Sequence, residues 1–130
     1  MLKKNIEYVD YDGNERKEDF FFNLSKAEVV FMELEMPGGM EKYLKKITDE
    51  QDNVKIVEMF KRFIGMSYGI KSDDGKRFIK SQAHIAAFEQ TEAYSNLIVE
   101  MIQDAAFAAA FINGVIPSPD PDKPSSPPSL

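Results

Sequence analysis

The chain has 130 residues, of which 43% are hydrophobic and 12% aromatic, and it carries a net charge of -6 at pH 7. This length allows one domain of about 115 ordered residues around one hydrophobic core, and the composition is too apolar for a wholly disordered chain. The excess of carboxylates argues against a nucleic-acid partner, because binding to phosphates requires clustered Lys and Arg.

The chain has no cysteine, which excludes disulfides, thiolate zinc sites and cysteine nucleophiles. The first residues, MLKKNIE, lack the apolar core of a signal peptide. No stretch reaches the length and hydrophobicity of a membrane-spanning helix. We therefore expect a cytoplasmic protein that has no membrane partner.

Residues 5–24 are predicted to form a β-hairpin. The dipeptide Asp12-Gly13 favours a turn because Gly accepts a positive φ. Apolar side chains alternate with other residues on either side of this turn, at Ile6, Tyr8, Phe20, Phe22 and Leu24. Such alternation is typical of strands that have one buried face.

A helix is predicted to begin after Ser25, in the segment NLSKAEV. Ser25 can accept a hydrogen bond from the Glu28 amide while the Glu28 carboxylate reaches back, which is a capping box. The helix has two apolar faces, one with Ala27, Val30, Phe31 and Leu34 and the other with Val29, Met32 and Met36. The segment Pro37-Gly38-Gly39 is predicted to end it.

Two further helices are predicted from apolar residues at helical spacing. The first is amphipathic and carries Met40, Tyr43, Leu44 and Ile47 on its apolar side. The second begins after Asp52 and is expected at the centre of the core, with Ile56, Val57, Phe60, Phe63, Ile64 and Tyr68 on its buried side. Gly69 is predicted to end this second helix.

The segment 68–80 is predicted to form a short hairpin or an extended loop around the turn sequence SDDG. Ser81 and Thr91 are predicted to cap two more helices. Asp104 is expected to break the last helical stretch in two. Gly114 is predicted to end that stretch in a left-handed conformation.

The predicted fold is α+β and predominantly α-helical, with an N-terminal β-hairpin followed by a five- to six-helix domain. We expect a single globular domain at residues 1–117, in which the hairpin takes residues 5–24 and the helical part residues 25–114. Residues 118–130 read SPDPDKPSSPPSL and are rich in proline. They are predicted to form a disordered tail.

No sequence pattern indicates catalysis, a metal or a cofactor. His84 is the only histidine and has no cysteine with which to share a metal, so a structural or surface role is expected. The SDDG cluster lacks the later ligands of a calcium loop and is better interpreted as a turn. The glycines do not compose a phosphate-binding loop, and no serine lies in a nucleophile elbow. The chain is therefore not predicted to be an enzyme.

Apolar side chains are the remaining candidates for function, because flexible methionines suit a surface that accepts varied partners. The candidate partner-binding residues are Met32, Met36, Met40, Met59, Met66, Met101, Phe107, Phe111 and Ile112. The last three belong to FAAAFINGV, in which alanines allow another helix to approach closely. The alternative interpretation is that these residues fill the core of the monomer.

Several segments carry a family resemblance, in the order EYVDYDGNERKEDFFFNLSKAEV, SYGIKSDDGKRFIKS, QTEAYS and FINGV. Together they resemble tail assembly chaperones of long-tailed, siphovirus-type bacteriophages that infect Gram-positive bacteria. The likeness extends over nearly the whole chain as far as Pro117. None of the segments is a catalytic motif, so the resemblance is one of pattern and segment order.

The resemblance implies a small, mostly helical protein of the host-cell cytoplasm that binds the long, hydrophobic tape measure protein and keeps it soluble. It also implies help for tail tube proteins that polymerise around the tape measure protein, and absence from the mature virion. The apolar last helix also allows a homo-oligomer.

Two other functions stay open at this point. A small acidic interaction module could inhibit or modulate another phage or host protein through a basic surface. A catalyst whose acids converge only in three dimensions would leave no pattern in the sequence. Salt dependence separates the acidic module from the chaperone, because binding by charge weakens steeply with salt whereas apolar burial does not.

Overall fold

The sheet is antiparallel and its strands lie in the order in which they occur along the chain. The computed structural model describes residues 1–36 and 38–117. Its strands are β1 (Leu2–Val9), β2 (Glu15–Phe22), β3 (Tyr68–Lys71) and β4 (Phe78–Ile79). β1 and β2 form the predicted N-terminal hairpin, and β3 and β4 form the short hairpin predicted within residues 68–80.

In this part of the chain, six helices follow the N-terminal hairpin. They are α1 (Lys26–Glu35), α2 (Met40–Asp49), α3 (Asn53–Ser67), α4 (Gln82–Glu89), α5 (Glu92–Gln103) and α6 (Ala105–Val115). The prediction of a predominantly helical α+β fold is confirmed. The tail predicted at residues 118–130 lies outside the described residues, as do Pro37 and the side chains of Met40 and Leu44.

Hydrogen bonds to the Asp10 side chain close the connection between β1 and β2. Oδ1 of Asp10 accepts from the backbone amides of Asp12 at 3.0 Å and Asn14 at 2.9 Å, and its Oδ2 lies 2.7 Å from Arg16 Nε. The hydrogen bond from Arg16, together with that from the Asn14 amide, lowers the pKa of the Asp10 carboxyl. Gly13 has a φ of 85°, as expected for a turn that requires a positive value.

One face of the sheet is apolar and contributes to the core. Ile6 on β1 and Phe22 on β2 are buried, and Leu2 pairs with Phe22 across the hairpin. The side-chain amide of Asn96 donates to the Glu7 carbonyl oxygen at 3.1 Å, which links α5 to β1. The hairpin is therefore part of the same hydrophobic core as the helices.

An aromatic cluster around Phe22 joins the sheet to two helices. Phe22 is 0% exposed, and its ring centroid lies 5.0 Å from that of Phe111, 5.8 Å from Tyr68 and 5.9 Å from Phe88. The rings of Tyr68 and Phe88 stack with centroids 4.3 Å apart. Because these four residues belong to β2, α6, the start of β3 and α4, one cluster fixes four elements. Aromatic pairs of this kind contribute about 0.5–1.5 kcal/mol each beyond the burial of area.

The predicted helix starts are confirmed. The Ser25 hydroxyl accepts from the Glu28 amide at 3.1 Å, and the Ser25 amide donates to the Glu28 carboxylate at 2.9 Å, which completes the capping box of α1. Ser81 and Thr91 cap α4 and α5 in the predicted positions. Each cap satisfies an amide that has no partner within the helix.

The last helical stretch is broken at Asp104, as predicted. Asp104 Oδ1 accepts from the Phe107 amide at 3.0 Å and so begins α6, and α5 and α6 are bent by 116° at this break. Within residues 1–36 and 38–117, no single helix is long and apolar enough to cross a membrane, and α5 and α6 satisfy that test only as one bent pair. Both helices contact β1.

The predictions that Gly69 and Gly114 end helices are wrong. α3 ends at Ser67, and Gly69 lies within β3, where an added Cβ would stand 2.6 Å from the ring of Phe78. Gly114 lies inside α6, where an added Cβ would stand 3.2 Å from a Leu2 methyl carbon. Neither glycine has a positive φ. At both positions a larger residue would meet another element that lies close to the glycine backbone.

Replacement of Phe22 by Ala is expected to lower the free energy of unfolding by about 3–5 kcal/mol, because it leaves a cavity at the centre of the aromatic cluster. Phe31→Ala is the matched control, since Phe31 is 60% exposed on α1 and its loss should change stability by about 0.5 kcal/mol or less. Urea unfolding of both variants at pH 7 measures the difference. Similar losses for the two variants would contradict the central place of Phe22.

Alanine substitutions at two glycines are expected to change stability in opposite directions. Gly69→Ala should cost about 1–3 kcal/mol, because the new Cβ would meet the Phe78 ring and, at 2.9 Å, the carbonyl oxygen of Ile79. Gly65 lies within α3 with no atom within 4 Å of an added Cβ, so Gly65→Ala should gain about 0.5–1 kcal/mol of helix stability. Thermal unfolding measures both shifts, and a higher melting temperature for Gly69→Ala would show that β3 and β4 are not this close.

Candidate partner-binding surfaces

An open apolar groove lies between α3, α5 and α6, with one residue from the end of α2. Its volume is about 650 Å³. The lining residues are Thr48, Asn53, Ile56, Val57, Phe60, Met101, Ile102, Ala105, Ala108, Ala109, Ile112 and Asn113. Among these described residues none carries a charge, so the groove offers apolar contact to whatever enters it.

The depth of the groove comes from the small side chains of α6. Phe60 and Met101 are 9% and 1% exposed, so they lie at its floor. Ala105 and Ala109 are exposed on its α6 side and reach only a short distance from the backbone. Ile102 is 50% exposed at the end of α5 and extends the apolar surface outwards.

Several charged residues are neighbours in sequence of residues that line the groove. On α3 and at the connections from α2 to α3 and from α5 to α6, six charged residues are next in sequence to lining residues. They are Asp49, Asp52, Lys55, Glu58, Lys61 and Asp104. Lys55 Nζ lies 3.9 Å from Asp52 Oδ2, so one of the two lysines is already close to a carboxylate. Asp49 Oδ2 likewise lies 4.0 Å from Lys45 Nζ, so two of these carboxylates have a basic side chain close by.

A second apolar surface lies on α1 and consists of Val30, Phe31 and Leu34, here called the α1 stripe. These side chains are 53%, 60% and 80% exposed. They share one face because residues three and four positions apart are neighbours on a helix. Met32 and Met36 on the other side are buried in the core. α1 is thus apolar on two sides, as its sequence predicts.

Ion pairs hold α1 to the rest of the protein near both of its ends. Glu28 Oε1 lies 2.7 Å from Lys80 Nζ, and Glu35 pairs with Arg62 on α3. Burial opposes ionisation of Glu28, but the hydrogen bonds from Lys80 and from the Ser25 amide outweigh this effect and lower the pKa of the Glu28 carboxyl. Because ion pairs fix α1 near both ends and its methionines are buried, the α1 stripe faces solvent.

The predicted partner-binding residues are divided between the core and the groove. Met32, Met36, Met59, Met101 and Phe111 are buried. Met66, Phe107 and Ile112 are partly buried and pack against the same core, and the Met40 side chain lies outside the described part. The structure brings Met101 and Ile112 together in the lining of the groove. A role of any of these residues in partner binding stays a prediction.

The candidate residues named from the sequence omit two exposed apolar side chains, one in the lining of the groove and one next to a lining residue in sequence. Val54 is 69% exposed and directly follows the lining residue Asn53, and Ile102 is exposed at the other side of the groove. Both apolar side chains lie in helices but outside the buried set. An apolar residue out of phase with the buried face of its helix is the signal that could have found Val54. Ile102 lies four positions after Ile98, which packs against the core, so helical spacing gave no signal that it is exposed.

These surfaces offer burial rather than polar chemistry. Among residues 1–36 and 38–117, no group of three or more His, Cys, Asp or Glu side chains could hold a metal ion. His84 is half-buried and its Nδ1 has no hydrogen-bond partner among the described residues, but it lines neither the groove nor the α1 stripe. A partner that covers either surface gains about 25 cal/mol for each Å² of apolar area removed from water.

Comparison with known proteins identifies the family. A search of curated proteins and a search of solved structures each found no match. The model of the phage tail assembly chaperone family matches residues 1–119, which include the groove and the α1 stripe. This match confirms the resemblance to phage tail assembly chaperones, while the siphovirus type and the Gram-positive host stay predictions. The chain therefore belongs to the phage tail assembly chaperone family.

Proposed function

We propose that this tail assembly chaperone binds the tape measure protein of its phage and keeps it soluble until the tail tube assembles around it. The observation that carries the proposal is the open apolar groove of about 650 Å³ between α3, α5 and α6. Membership of the family points to proteins of the tail as partners. A long apolar partner needs a protein that presents apolar surface while staying in solution, which is what this groove provides.

The groove and the α1 stripe are separate surfaces, so one long client can contact both. The stripe residues do not occur in the lining of the groove. Exposed apolar patches of this kind mark sites of contact with other proteins. Two modest sites that engage the same chain raise the overall affinity, because the second contact forms at a high effective concentration.

The charge of the chaperone supports the solubilising part of the proposal. The net charge of -6 at pH 7 comes from 22 acidic and 16 basic residues. Charge of one sign keeps proteins apart and in solution. A client coated with copies of this chain would therefore acquire both covered apolar surface and mutual repulsion.

Further parts of the proposal are what the family resemblance implies. We expect no catalytic activity, action in the cytoplasm of the host cell and absence from the mature virion. The tail tube protein is a second expected partner, and a second copy of the chain is a third.

Co-expression with the tape measure protein of the same phage is expected to move that protein from the insoluble to the soluble fraction, because its apolar segments are covered. The complex should survive size-exclusion chromatography. An unrelated acidic protein of similar size, expressed in place of the chaperone, is the control. Equal insolubility of the tape measure protein with and without this chain, and no recovered complex, would contradict the proposal.

Salt dependence of the same complex separates the proposal from an acidic module that binds a basic surface. Apolar burial predicts a dissociation constant that changes by about threefold or less between 50 and 500 mM NaCl, whereas binding led by charge should weaken more than about tenfold. Isothermal titration calorimetry at the two salt concentrations gives this ratio. A steep loss of affinity would favour the acidic module.

A further inference from the structure

We propose that α1 is a latch that opens as one unit, pivoting between Ser25 and the Gly38-Gly39 pair, and that opening uncovers Met32 and Met36. Both methionines are buried in the closed arrangement described above. The opening is a property of the chaperone alone and goes beyond the proposed function. Only its last step, in which the uncovered methionines contact an apolar client, rests on that function.

α1 contributes few buried side chains for its length. Among its ten residues, Met32 is the one that is buried and Val29 is partly buried, while Met36 is buried at the C-cap. Because packing of an apolar face supplies most of the stability of a helix in a protein, α1 is held less firmly than α3. The residues that α3 buries are Met59, Phe60, Phe63, Ile64 and Ser67.

Both ion pairs of α1 lie where water can replace them. The side chains of Glu28 and Lys80 are 37% and 20% exposed, and those of Glu35 and Arg62 are 58% and 46% exposed. Exposed pairs are screened by water and salt and contribute little, so the pair of Glu28 and Lys80 holds α1 more firmly than the other pair does. When α1 moves away, the separated charges pass into water and not into the apolar core.

The backbone on both sides of α1 suits a movement of the helix as one unit. The hydrogen bonds of the capping box join Ser25 to Glu28, so they move with α1 and keep its first turn helical. Leu24, just before Ser25, is 0% exposed and anchors the chain in the core. Beyond the C-cap, Gly38 and Gly39 have φ values of 76° and 92°. Glycine tolerates large changes of φ and ψ, as the hinge of a moving helix requires.

An open α1 would present apolar side chains on both of its sides. The α1 stripe already faces solvent in the closed arrangement, and opening adds Met32 and Met36. Flexible methionines adapt to partners of varied shape. Closure in the absence of a client hides part of this apolar surface, which limits unspecific association. The predicted partner-binding role of Met32 and Met36 is thereby compatible with their burial.

Hydrogen exchange of the unchanged chain at pH 7, followed by mass spectrometry, tests the opening. The amides of residues 30–35 in α1 should exchange at least about 100-fold faster than those of residues 96–101 in α5, because α1 opens without global unfolding. Lys80→Met should speed exchange in α1 by about fivefold or more and leave α5 unchanged. Lys76→Met is the matched control, since Lys76 is exposed at the turn between β3 and β4, and it should change exchange in α1 by about twofold or less.

Single cysteines report whether the methionine side chains themselves become accessible. The chain has no cysteine of its own, and Met32 and Leu97 are each 1% exposed, on α1 and α5. A thiol reagent should label Met32→Cys at least about tenfold faster than Leu97→Cys, because only the former is uncovered when α1 opens. Met36→Cys is a second probe on the α1 side in case Met32→Cys fails to fold, as judged by thermal unfolding.

A cross-link tests whether the client needs the open latch. Glu35→Cys and Arg62→Cys together place two thiols at the ion pair between α1 and α3, and a short bis-maleimide that joins them should keep α1 closed. The joined protein should solubilise less of the co-incubated tape measure protein than the same double variant whose thiols are blocked separately with N-ethylmaleimide.

Equal exchange of the α1 and α5 amides, or equal labelling of the folded Met32→Cys and Leu97→Cys variants, would show that α1 opens only when the whole domain unfolds and would overturn the latch. Equal solubilisation by the joined and the separately blocked protein would overturn the step in which the client meets the uncovered methionines, although the proposed function would stand. If the unchanged chain does not solubilise the tape measure protein, the proposed function fails, and hydrogen exchange still decides whether α1 opens.

Discussion

Packing of Phe22 against the rings of Tyr68, Phe88 and Phe111 holds the sheet and the helices in one arrangement. The contact with Phe111 fixes α6 over the hairpin, and Phe63 of α3 also meets Phe111, with ring centroids 6.3 Å apart. α3 and α6, two of the three helices that line the groove, are thus held together by one aromatic network. Since side chains in a close-packed core move little, the groove can stay open without collapsing, and apolar surface remains available to a partner.

Local signals in the sequence were sufficient for most of the fold. The capping box of Ser25 and Glu28, the side-chain caps of later helices and the Asp12-Gly13 turn each depend on residues a few positions apart, so they can be recognised without knowledge of the tertiary structure. Gly69 and Gly114 were misinterpreted because their constraints are long-range in different ways. Gly69 must admit the ring of Phe78, and Gly114 faces Leu2 from the other end of the chain. In the sequence, a glycine near the end of a helix suggests a cap. Only the tertiary structure shows that a side chain from a distant part of the chain lies close to the glycine.

The candidate site was less predictable than the fold, because residue type does not show which side of a two-sided helix is buried. Methionine suggested an adaptable surface, yet Met32 and Met101 are core residues with 1% exposure. The sequence shows that α1 has two apolar faces, but only the structure shows that Phe31 is exposed and Met32 is buried. The groove itself depends on the bend at Asp104, which brings the end of α5 and the alanines of α6 towards α3. The bend could be predicted because Asp104 can cap a helix, but the direction in which α6 leaves α5 could not.

Hydroxyl-radical footprinting of the chaperone, alone and in complex with the tape measure protein, tests most directly the claim that the groove is where the client binds. Ile102 is 50% exposed in the lining of the groove, Ile112 is partly buried there, and Tyr11 is 77% exposed at the turn of the hairpin. The account predicts that oxidation of Ile102 and Ile112 falls in the complex while Tyr11 is oxidised as before. An intact complex in which Ile102 and Ile112 are oxidised as in the free protein would contradict it.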